Sequence, residues 1–258
     1  GGLGNFSLTD LNKVLAGKMA SASASVNTYT EGVSGNCSPK DLETMLQLTY
    51  MLFTAPRTDQ EAFSSYINRK KAALTNQEAN PMSVFIDSLN MTLYNKNPRI
   101  FSMKAEMMDK VDYGKVMELY KNRFEDAGDF TFLFVGNIDM ETATPLIEQY
   151  LGGLPTHGRK ENFGQTNISF RKGKVENNFV RPLETPKSTV VLVNTGECPY
   201  TLRNKILMNI TGQLLDILYT QTIREEQGGT YGVSCGGSIT KYPDEKAAFQ
   251  IYFDTVSY

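Results

Sequence analysis

A polar stretch that begins Leu154-Pro-Thr-His-Gly-Arg-Lys-Glu161 and runs to Asn167 divides this 258-residue chain in two. Helical patterns and strand-like runs occur in mixed order on both sides of it. Ser7–Lys18 places Leu8, Leu11, Val14 and Leu15 on one helical face before Gly17, and residues 19–37 read as a strand pair. Ser38-Pro39 has the form of an N-cap with Pro in the first turn. The helix it opens carries Leu42, Met45, Leu46, Thr49 and Leu52 before Pro56 breaks it. Helical patterns follow near Asp59–Asn76, Pro81–Tyr94 and Asp112–Phe124. Phe130–Val135 is apolar almost throughout, which predicts a buried strand, and a helix from Asp139 to Tyr150 stops at Gly152-Gly153.

After the break, strands are expected around Ile168–Phe170, Lys174–Val180 and Ser188–Asn194. A long helix follows over about Pro199–Glu226, then strands at Tyr231–Ser238 and Ala247–Asp254. This order implies an α+β layered fold, formed twice, with mostly antiparallel sheets. The expected organisation is one domain over 1–154, a linker over 155–167 and a second domain over 168–258. The first residues, Gly-Gly-Leu-Gly, have no Met, basic segment or apolar segment, so no signal peptide is read there. Both ends read as the interior of a longer chain, with each domain expected to be truncated.

Composition narrows the function. With 26 basic against 28 acidic residues there is no polycation to condense on phosphate, so neither nucleic acid nor an anionic membrane is an expected partner. No apolar run approaches a bilayer span. Cys37, Cys198 and Cys235 are scattered and odd in number, which excludes a disulfide framework within the chain. The single histidine, His157, sits in the polar loop. A catalytic zinc site needs about three protein ligands, and a Ser or Cys hydrolase needs a histidine base, so self-contained chemistry of either kind is not expected.

Glycine clusters at 1–4, 151–155, 226–232 and 235–237 match no phosphate-loop pattern and read as turns and helix ends. Asp41 and Glu43 fall in a helix first turn, where the helix dipole accounts for them, and Asp109 and Asp112 lie just before or at another helix start. The segment Ile223-Arg-Glu-Glu-Gln-Gly-Gly-Thr-Tyr-Gly-Val233 is different. It closes a long helix, turns on glycines and enters a strand. Arg224 supplies a permanently charged donor fork, and Tyr231 a phenol, near one helix–strand corner. Such a pair can donate to a peptide carbonyl or a developing oxyanion, although an arginine near a helix C-terminus is favourable for the helix alone.

This segment resembles the C-terminal half of the M16 (pitrilysin/insulinase-like) zinc metallopeptidases, whose last domain carries an Arg and a Tyr at this spacing. Phe130–Asp139 followed by Tyr150–Pro155 is similar to the closing strand, helix and exit of an M16 domain. Leu11–Lys18, Tyr29, Gly32 and Pro39–Glu43 resemble the third domain of large bacterial members. The likeness runs along nearly the whole chain.

The resemblance implies two M16-type (metallohydrolase-like) domains and the inactive, zinc-less half of a zinc endopeptidase. That half closes a chamber around a peptide or unfolded protein substrate. Arg224 and Tyr231 are the implied substrate-binding residues, hydrogen-bonding the carbonyl at the scissile bond. The family's H-x-x-E-H zinc motif is absent from this chain, which is expected to be inactive alone. Zinc is expected in the N-terminal half of the parent protein, which is the implied partner, either in the same polypeptide or as a separate subunit. A periplasmic or envelope location also comes only from the resemblance. A non-catalytic, peptidase-like scaffold or binding subunit is the alternative.

Overall fold

The computed structural model describes residues 1–162, 164, 166–182, 187–226, 228, 230 and 232–255. They divide into two units, Gly1–Leu89 with Pro98–Asn167, and Asn90–Asn97 with Ile168–Tyr258. The architecture is α+β, and every strand pairing among the described residues is antiparallel.

In the first unit, short strands β1 (Gly2–Leu3) and β2 (Phe6–Ser7) lead into helix α1 (Leu8–Val14), which Ser7 caps by accepting the Asp10 N–H at 3.2 Å. The helix stops before the expected Lys18. Beyond it, β3 (Ala20–Val26) and β4 (Glu31–Cys37) form a hairpin whose pairs run from Ala20↔Cys37 to Val26↔Glu31. Alternating Ala and Ser keep β3 thin. Gly35 on β4 lets α2 (Leu42–Thr54) close in, since a Cβ there would lie 2.9 Å from the Met45 sulfur.

The junction of hairpin and α2 differs from the sequence expectation. Ser38 makes no side-chain cap, and Pro39–Asp41 is a 3-10 turn. The buried Asp41 carboxylate instead accepts the Met19 N–H at 3.0 Å and the Ser38 hydroxyl at 2.6 Å, tying the start of the hairpin to the start of α2. The Ser38 hydrogen bond, first, and the Met19 N–H hold this carboxyl below the usual carboxylate range.

Helices α3 (Gln60–Glu78), α4 (Pro81–Leu93), α5 (Tyr113–Phe124) and α6 (Met140–Tyr150) follow. Asp59, Asp112 and Asp139 cap three of them through the first-turn N–H groups of Ala62, Lys115 and Glu141/Thr142. Asp109 pairs with Lys71 at 2.6 Å and so has a structural role. The core gathers Phe53, Phe124, Ala127 and Leu154, with Tyr50, Tyr120 and Phe130 around it. Phe53 meets Phe124 edge-on at 5.7 Å and Phe130 at 5.0 Å. The Tyr120 hydroxyl donates to the Leu52 carbonyl at 2.8 Å, and burial pushes its phenol up to about 12.

Phe130–Val135 corrects the sequence reading. It forms no strand with any described residue, and only one side of it is covered. Phe130 packs in the core and Phe132 stands 6.2 Å from Phe53, while Leu133 and Val135 are 85% and 88% exposed. An apolar run is not a strand until a neighbour takes its backbone groups. Past Leu154 the chain is pinned down at first. The Ala127 N–H donates to Pro155, and the Arg159 N–H donates to Asp126 at 2.9 Å.

The second unit is a sheet of β5 (Ser188–Glu197), β7 (Lys246–Thr255) and β6 (Val233–Thr240), in the order β5-β7-β6. Helix α7 (Leu202–Tyr219) packs against β6 and continues into a π-helical turn, Thr220–Glu226. Gly212 faces β6, where a Cβ would sit in ordinary contact with the Cys235 carbonyl at 3.4 Å and Gly236 at 3.5 Å. Ile168–Phe170 and Lys174–Val180 are not strands. Residues 170–177 instead meet residues 92–94 of the same unit, through Arg171 N–H to the Leu93 carbonyl at 2.7 Å, Asn177 to Thr92 at 2.8 Å, and Phe170 against Tyr94 at 5.2 Å.

Candidate functional site

Helix α7 begins under a Thr201 cap that accepts the Asn204 N–H at 3.1 Å. One face of it meets β6. Met208 lies beside Gly237, Gly212 beside Cys235 and Gly236, and the Asp216 carboxylate accepts the Cys235 N–H at 3.0 Å. Burial, helped by the Asp216 charge, pushes the Cys235 thiol up. At Thr220 the helix widens to the π form, a departure from α geometry that often marks working positions.

Arg224 lies in this widened turn. It is exposed and has neither a hydrogen bond nor an ion pair among the described residues. A guanidinium left without a carboxylate is available to an incoming acceptor. Gly228 then takes the left-handed conformation, φ +61°, which glycine adopts without strain. Tyr231, the other sequence-predicted residue, lies outside the described residues.

On either side of position 231 the backbone is held. The buried Thr230 hydroxyl accepts the Gly232 N–H at 3.2 Å and donates to the carbonyls of Gly232 and Asp254. Asp254 is itself held from β5, its carboxylate accepting the Thr189 hydroxyl at 2.5 Å and facing the Lys187 ammonium at 3.5 Å. Burial raises that carboxyl, but hydrogen bonds from Thr189 and Tyr252 and the Lys187 charge outweigh it and hold it below the usual range. Burial, then the Asp254 charge, pushes the Tyr252 phenol up. Sequence reasoning missed Thr189, Asp216, Thr230 and Asp254. The one available signal was a polar residue interrupting an apolar strand at Asp254.

The residues present do not fit a zinc ion. His157 stands in an exposed loop, and no group of three or more His, Cys, Asp or Glu side chains converges among the described residues. No helix among them is long and apolar enough to cross a membrane.

Comparison with known proteins places these features in a family. The family model described as the peptidase M16 inactive domain matches residues 110–257, more than half of the chain. An Arabidopsis thaliana protein named zinc protease PQQL-like is 30% identical over 207 residues, covering 74% of this chain and 21% of the relative. The fold matches the periplasmic protease PqqL of Escherichia coli with a TM-score of 0.82 at 19% identity, over 99% of this chain and 28% of that one. It also matches a variant of the ferredoxin protease FusC in complex with Arabidopsis ferredoxin, with a TM-score of 0.81 at 14% identity and the same coverage. The chain thus spans between a fifth and a third of these proteins. From the match over residues 110–257, the chain belongs to the peptidase M16 family and carries its inactive domain.

Proposed function

We propose that this chain is part of the zinc-less half of a zinc endopeptidase, that it closes the substrate chamber, and that it holds the substrate peptide next to the scissile carbonyl. In this reading residues 1–154 are the latter part of a third-type M16 domain. Residues 155–167 link it to the first part of the C-terminal domain, 168–258. The zinc chemistry belongs to the N-terminal half, in the same polypeptide or a partner subunit. Arg224 and Tyr231 donate to the carbonyl oxygen as it acquires negative charge, a role in which preorganised donors lower the barrier.

The observation that carries the reading is Arg224: exposed, without a charged partner among the described residues, in a π-helical turn at the corner where α7 gives way to β6. The FusC complex, in which the bound molecule is a protein, supports a polypeptide as the substrate class.

The test is a peptidase assay on the assembled enzyme with Arg224→Ala and Tyr231→Phe. Each substitution is expected to lower kcat/KM by roughly 10²–10³, the usual cost of losing one oxyanion donor, with zinc content unchanged. Full activity in both variants would leave the chain as a scaffold or binding subunit.

A further inference from the structure

We infer that Thr230 is a positioning residue, which holds the backbone on both sides of position 231 so that the Tyr231 phenol is presented to the substrate. The inference rests on the reading of Tyr231 given above.

Among the described residues of the second unit only Gly212 and Thr230 are buried. Gly212 is explained by its close approach to β6. A buried threonine in so open a unit needs another reason. The β6–β7 ladder ends at the pair Val233↔Phe253. Among the described residues no ladder pair follows it, and the next carbonyl on β7, that of Asp254, is taken by the Thr230 hydroxyl. The same oxygen accepts the Gly232 N–H and lies 2.9 Å from the Gly232 carbonyl. A hydroxyl carries one proton, so the two carbonyls share it while the lone pairs take the N–H. Residues 230 and 232 are therefore fastened to each other and to β7.

The surroundings show what this fastening replaces. Upstream, Gly228 takes φ +61°, a conformation that glycine adopts without strain. Downstream, Asp254 is itself tied to β5 through Thr189. One hydroxyl thus ties residues 230 and 232 to β7 and, through Asp254, to β5. A displacement of about 1 Å in a group that must meet a reacting carbonyl costs on the order of 10²-fold in rate, so a residue that sets this position is felt in kcat.

The experiment is a double-mutant cycle in the assembled, zinc-bearing enzyme, with Thr230→Val, Thr230→Ser, Tyr231→Phe and the pair Thr230→Val/Tyr231→Phe. Amide exchange of the peptide around Gly232 is read in the same proteins. Valine keeps the shape and removes the hydroxyl, whereas serine keeps the hydroxyl. The expected result is a Thr230→Val enzyme slower in kcat by about tenfold or more, with KM within about twofold and faster exchange at Gly232. Thr230→Ser should match the parent, and the double variant should be no slower than Tyr231→Phe alone.

Full activity in Tyr231→Phe overturns the reading of Tyr231 and this inference with it. A slow Tyr231→Phe beside an unaffected Thr230→Val overturns the inference alone. So does a Thr230→Val loss that multiplies in full onto that of Tyr231→Phe, or a serine variant as slow as the valine one, both of which mark a merely structural threonine.

Discussion

Phe124 and Thr230 are both buried, but they hold the molecule in different ways. Phe124, 1% exposed, fills the first unit between Phe53 and Phe130 and stacks on Tyr120 at 4.7 Å. Its truncation leaves a cavity that the aromatic neighbours cannot collapse into. Phe124→Ala is expected to cost about 3–5 kcal/mol, read as a lower midpoint in urea unfolding with an unchanged slope. Thr230 contributes little volume and instead satisfies the Gly232 N–H and the Asp254 carbonyl. Arg224 is the reverse of both, an exposed charge with no ion-pair partner among the described residues and little to contribute to stability. Its loss should change catalysis in the assembled enzyme and leave Tm within the error of measurement.

At the scale of elements, α7 shows how one helix can be half committed. Its inner face is specified by Met208, Gly212 and Asp216 against β6. Its outer stripe, Leu202, Ile206, Ile210, Leu214 and Ile217, is between 46% and 75% exposed. Leu214→Gln with Ile217→Gln should therefore change stability by no more than about 0.5 kcal/mol per site and lower the fluorescence of a bound anilinonaphthalene sulfonate. A fall of several degrees in Tm would show that the stripe is covered. Asp216→Ala leaves the Cys235 N–H without its acceptor and is expected to destabilise the contact by roughly 1–3 kcal/mol.

The hairpin of β3 and β4 and helices α2 to α6 were legible in the sequence, because period and capping residues act over a few positions. Phe130–Val135 was not legible as it stands, because a strand is defined by a neighbour that local pattern cannot supply.

For the whole molecule, acid is the informative variable. Asp41, Asp126 and Asp254 all have folded-state pKa values below their ordinary range. For Asp126 the Gly128 N–H is the largest cause, followed by that of Arg159. A carboxyl with a depressed folded value contributes stability above its unfolded pKa, about 3.9, and loses it as pH falls through the lower folded value. Tm is therefore expected to hold at neutral pH and to drop below about pH 4, with Asp126→Asn giving a lower but flatter profile. A Tm that begins to fall near pH 6 would assign the transition to other groups.

Local chemistry in the sequence was enough for the α+β class, the antiparallel pairing of residues 19–37, the run of helices, and the family through the Arg224–Tyr231 spacing. Each of these depends on residues close together in the chain, or on a spacing that needs no coordinates. Tertiary structure alone decided that Asp41 would staple the hairpin to α2, that Asp216 would cap a β6 N–H, and that Thr230 would reach the Asp254 carbonyl. It also decided that one side of Phe130–Val135 would face solvent. These are pairings between distant backbone and side-chain groups, settled by which polar group is left without a partner once the helices and strands have packed.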